Sequence, residues 1–88
     1  MIFSKLMVVN EMIDWKLYIT SNPEVLFGKP AIKNTRIGVD LILEKMASGD
    51  SFDELLDSYP SITKNDINAC LLFASESIKN EIVIQRAS

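Results

Sequence analysis

Along residues 39–48 the apolar positions Val39, Ile42, Leu43 and Met46 recur at the spacing of one helical face, and Gly49 supplies the stop. Ser51-Phe52-Asp53-Glu54 has the form of a capping box. The serine oxygen can accept from the third helical amide while the glutamate reaches back to the cap. The helix it opens sets Phe52, Leu55, Leu56 and Tyr59 at i, i+3, i+4 and i+7, and Pro60 ends it. Thr63-Lys64-Asn65-Asp66 repeats the cap with aspartate in the glutamate position. It opens a third helix with Ile67, Cys70, Leu71, Ala74 and Ile78 on one stripe. Three short helices with two tight, separately capped joints predict a trihelical bundle. Its last two helices and their turn have the lengths of a helix-turn-helix.

The chain before residue 39 has a different texture. Pro23, Gly28, Pro30 and Gly38 break it into short extended pieces. Residues 16–20 read as a strand, and Asn22-Pro23-Glu24 as a capped turn. Ile32-Lys33 and Arg36-Ile37 are placed to pair as a tight hairpin, because Asn34 tolerates positive φ, although Thr35 does not favour it. The expectation is one mainly α domain: an extension over 1–13, a small β-strand/hairpin element with a basic loop over 14–38, a three-helix bundle over 39–80, and a tail over 81–88.

Composition narrows the chemistry. With 88 residues there is room for one modest core, so association into at least a homodimer is the expected source of extra stability. There is no histidine and a single cysteine, which removes an internal disulfide, a base for a cysteine nucleophile, and the usual zinc ligands. Cys70 reads as a small buried hydrophobe, and disulfide-free usage suits the cytoplasm. Residues 1–13 lack the pattern of a signal peptide, and no apolar run is long enough to span a membrane. Asp53, Glu54 and Asp57 belong to a solvated helix face, and Gly28-Lys29-Pro30 is only the first syllable of a phosphate loop. Neither an enzyme, a cofactor nor a metal is expected.

Charge changes the picture once more. The net charge of −3 argues against a protein that coats nucleic acid nonspecifically. Yet Lys29, Lys33 and Arg36 lie within eight residues that contain no acid, whereas residues 40–57 carry six acids against Lys45.

With these residues laid out, the chain resembles the bacterial family of domain of unknown function 433 (DUF433), whose members are often described as VapB-like antitoxins. The most specific stretch is Asn22-Pro23-Glu24-Val25, then Gly28-Lys29-Pro30, Ile32-Lys33 and Thr35-Arg36-Ile37. Leu43-Glu44, Ala47-Ser48-Gly49, Tyr59-Pro60, Thr63 and Asp66-Ile67 continue it, so the resemblance covers about residues 14–76. Residues 1–11 match nothing in the family pattern. Three positions depart from it: Phe27 and Asn34 stand where glycines are commoner, and Gly38 where a proline is. The resemblance implies a homeodomain-like helix-turn-helix behind a small β-element, a dimer, and a partner resembling a PIN-like ribonuclease toxin. The antitoxin would neutralise that toxin and repress its own operon.

Two functions from different classes follow. In the first, the third helix reads double-stranded operator DNA with Lys64, Asn65 and Asn68, while Thr63 and its amides are free for a phosphate. Lys29, Lys33 and Arg36 would then position the backbone. Asp66 in the same turn opposes this, and the same residues are equally read as a solvated face of a packing helix. In the second, the chain is a protein-interaction module. Leu72 and Phe73 point away from the core stripe, as does Ala69, and Ile82, Val83 and Ile84 form a short apolar segment able to extend a partner's sheet. A stand-alone DNA-binding regulator and a purely protein-binding module are the alternatives to an antitoxin that does both.

Overall fold

The computed structural model describes residues 13–81. The expectations for the extension before Ile13 and for Ile82, Val83 and Ile84 lie outside the described residues. Two short strands, β1 (Ile19–Thr20) and β2 (Ala31–Ile32), precede three helices: α1 (Val39–Ala47), α2 (Phe52–Ser58) and α3 (Lys64–Glu81). The mainly helical architecture with a small antiparallel pair is therefore as the sequence predicts.

The helix boundaries follow from local chemistry. Gly49 adopts φ +109°, a left-handed conformation that glycine enters without penalty. It lets Asp50 N–H return to Lys45 C=O at 3.0 Å and close α1. Both halves of the Ser51–Glu54 box are made, at 3.1 and 2.8 Å. Tyr59 leaves helical geometry just before Pro60, so five residues, 59–63, join α2 to α3.

The β element departs from the expected hairpin. Residues 15–17 form a 3-10 turn capped by Asp14, so the first strand begins only at Ile19. Its partner is β2, in the register Ile19 to Ile32 and Thr20 to Ala31. The reversal at Asn34 does occur, with Asn34 at φ +65° and Ile32 N–H bonded to Ile37 C=O at 2.9 Å. However, the Thr35 hydroxyl takes the Ile37 N–H at 2.9 Å, so the return arm pairs only through an Ala31–Gly38 bridge, with Val39 N–H on Pro30 C=O at 3.0 Å. Side-chain capture of a strand amide is the competing interaction that shortens the hairpin. Asn22 closes the expected turn by accepting from Glu24 N–H at 2.9 Å.

One core joins all elements: Ile19 and Ile32 from the strands, Val39 and Ile42 from α1, Leu55 from α2, Ile62 from the turn, and Ile67, Ala69 and Cys70 from α3. Here the expected stripe on α3 is corrected. Ala69 is fully buried and Phe73 is half-buried against this core, whereas Leu71 and Ile78 are 39% and 57% exposed. The cause is Trp15, whose ring meets Phe73 edge-on with centroids 4.9 Å apart and an angle of 78°. Packing of the first turn onto the second half of α3 rotates its buried face towards Phe73. Phe73 is therefore partly engaged by the core and by Trp15 rather than fully exposed, and Leu72 is half-buried.

Cys70 is fully buried, as expected of a small hydrophobe. Burial pushes its thiol up from 9.0 to about 12, and the Asp66 carboxylate adds to the shift. In the unfolded chain the thiol ionises earlier, so its contribution is intact below pH 9.0 and is lost as pH rises from there towards about 12. Denaturant titrations across that window should show an alkaline loss of stability that is smaller in a Cys70→Val variant. An identical loss in both proteins would assign it to other groups.

Candidate nucleic-acid interface

The reversal at Asn34 and the turn at Asn22 face one another across the β pair and enclose a shallow trough of about 680 Å3. Thr20, Asn22, Val25, Lys33, Asn34, Thr35 and Arg36 line it, with no carboxylate among them. Lys33 and Arg36 are exposed. Among the described residues neither is ion-paired. The Thr35 hydroxyl is committed to Ile32 C=O at 2.7 Å, which fixes the bend between the two cations. The trough can hold an oxyanion: two charged donors and the side-chain amides of Asn22 and Asn34 border it.

Lys29 does not join them. Its ammonium lies 3.6 Å from the Asp40 carboxylate on another surface, and this exposed pair is worth at most about 1 kcal/mol. The cause is backbone shape: Leu26, Phe27 and Gly28 have φ of +51°, +57° and +87°, which turns the chain before Pro30 away from the trough. The acid-free run in the sequence is thus split between two faces.

The start of α3 forms a third location. Lys64, Asn65 and Asn68 are exposed there, and no residue of α3 lines the trough. Thr63 itself is engaged in the cap that the sequence predicts. Asp66 accepts from Thr63 N–H at 2.8 Å and from its hydroxyl at 3.2 Å, while Asp66 N–H donates to Thr63 Oγ1 at 3.2 Å. The Asp66 carboxylate therefore uses the Thr63 N–H and hydroxyl as its own partners, a negative charge at the start of the helix.

Among the described residues no group of three or more histidine, cysteine or acidic side chains is arranged to hold a metal ion. No helix among them is long and apolar enough to cross a membrane. Thr20, Asn22 and Asn34 carried only turn and strand signals in the sequence. Their place in the trough arises from β1–β2 pairing, which no local pattern specifies.

Comparison with known proteins agrees with this architecture. Over 56 residues, 64% of this chain, it is 30% identical to the uncharacterized protein y4eO of Sinorhizobium fredii and matches 25% of that protein. The chain thus spans about a quarter of that relative's length. The crystal structure of a DUF433 member protein from Anabaena variabilis, at 27% identity, superposes with a TM-score of 0.67 over 89% of this chain and 74% of that one. The sequence profile of the family described as "Protein of unknown function (DUF433)" matches residues 19–74, and to that family this chain belongs.

Proposed function

We propose that this chain is a non-catalytic, antitoxin-like binding module that acts as a homodimer on double-stranded DNA. The observation that carries the reading is the trough: in a chain of net charge −3 its lining holds no acid, with Lys33 and Arg36 unpaired among the described residues. Such cations position a phosphate backbone without reading bases. Base contacts fall to Lys64, Asn65 and Asn68, exposed on a helix that follows α2 after five residues, in the manner of a homeodomain-like helix-turn-helix. Asp66 supports the assignment of roles, because its capping bonds with Thr63 fix the first turn of α3, on which Lys64, Asn65 and Asn68 are exposed.

The test uses DNA upstream of the chain's own gene, in anisotropy titrations against unrelated duplex. Asn65→Ala with Asn68→Ala removes two exposed amides, so folding should change by less than about 0.5 kcal/mol. Discrimination between the two DNAs should fall by about 1–3 kcal/mol for each asparagine that pairs bidentately with a base. Unchanged discrimination would take α3 away from the bases. A second reading, occlusion of a PIN-like nuclease toxin, is favoured by Leu71, 39% exposed beside half-buried Leu72 on α3. Co-purification with the product of an adjacent gene, abolished in a Leu71→Glu variant, is the result that reading requires.

A further inference from the structure

Phe27 is 98% exposed, the most exposed large hydrophobic side chain among the described residues. It also sits at φ +57°, between Leu26 at +51° and Gly28 at +87°. For a bulky residue this conformation is strained, and strain at an exposed position points to a role outside the fold. The stalk is fixed: Gly28 N–H bonds to Val25 C=O at 3.0 Å, Lys29 N–H to Leu26 C=O at 3.1 Å, and the Ser21 hydroxyl donates to Gly28 C=O. The chain therefore presents an aromatic ring on a rigid turn.

Two residues further on, Lys29 and Pro30 form the lip of an open apolar groove of about 400 Å3 between α1 and α3. Val39, Leu43, Phe73 and Ile78 supply its apolar walls. Two residues of extended chain reach at most about 7 Å, so the backbone that carries the ring lies close to this lip. The ring does not fill the groove beside it, since it is almost wholly in solvent.

We propose that Phe27 of one copy seats in the α1–α3 groove of a second copy, and the reverse, in a two-fold pair. A knob next to its own hole is the self-complementary patch that an isologous dimer needs. The rim charges agree. Lys29 and Asp40, 65% and 60% exposed, are paired with one another at 3.6 Å, so the lip carries no net charge to repel a second copy and the pair can exchange partners across a two-fold. Two rings and the groove walls they cover would bury about 600–1,000 Å2 in total, the range of a reversible rather than a permanent dimer. This deepens the dimer part of the reading above and makes no use of DNA.

Sedimentation of the full chain over a concentration series tests it. Wild-type protein should show a monomer–dimer equilibrium. Phe27→Gly removes the ring and relieves the left-handed strain, so it should melt higher when dilute yet self-associate more than about tenfold more weakly. Ile78→Lys, on an exposed groove wall, should keep its melting temperature and lose association to the same degree. Mixing the two variants should restore part of the dimer, because the ring of one still fits the intact groove of the other. A monomeric wild-type chain, a Phe27→Gly variant that dimerises as before, or a mixture with no hetero-pair would each overturn the proposal.

Discussion

A Phe73→Glu substitution should destabilise the domain by about 3 kcal/mol and lower its melting temperature by about 10–20 °C. Phe73 is half-buried, so truncation alone would cost less than the value for a fully buried ring. The charge adds the rest, since the new carboxylate would lie against Trp15 and the apolar wall of the α1–α3 groove. Leu71→Glu is the matched control. At 39% exposure its side chain has an outward path, and its cost should stay below about 1 kcal/mol. The two variants decide the rotation of α3. A near-neutral Phe73→Glu beside an unfolded Leu71→Glu would mean that the helix buries the 67, 71, 74, 78 stripe instead.

Why the sequence misplaces that face is itself physical. Helix ends depend on residues three or four apart, so Ser51 with Glu54, Thr63 with Asp66, and Gly49 could be read directly. The α3 face could not, because residues 69–74 are apolar on every side of the helix. Periodicity does not choose among such residues; a partner does, and here it is Trp15, more than fifty residues away in the chain. The same locality limits the site. Lys33 and Arg36 flank one turn, and their shared surface was legible. Asn22 and Thr20 enter it only through the pairing of Ile19 with Ile32. Lys29 leaves it because three successive left-handed residues, two of them leucine and phenylalanine, reorient the chain where composition offers a single glycine as a signal.

Lys33→Ala combined with Arg36→Ala should produce the largest change in DNA binding. Both side chains are exposed and, among the described residues, not ion-paired, so their removal should alter folding by no more than about 0.5 kcal/mol. If each cation neutralises one phosphate, the plot of log affinity against log salt should flatten by about 1.8 units. Over a fourfold rise in salt the variant would then lose about twelvefold less affinity than the parent. The weakening should be the same for operator and unrelated duplex, because phosphate contacts carry no sequence information. Lys29→Ala serves as the internal comparison: its ammonium faces Asp40 on the other surface, so the salt slope should keep its parental value. Were Lys29→Ala to flatten the slope as much as Lys33→Ala does, binding would track net charge and not the trough. Were the double variant to keep the full slope, DNA would not use this surface at all. A slope that flattens while the Asn65 and Asn68 variant keeps its own would place the backbone contacts in the β element and the base contacts on α3, two surfaces of one small domain dividing affinity from recognition.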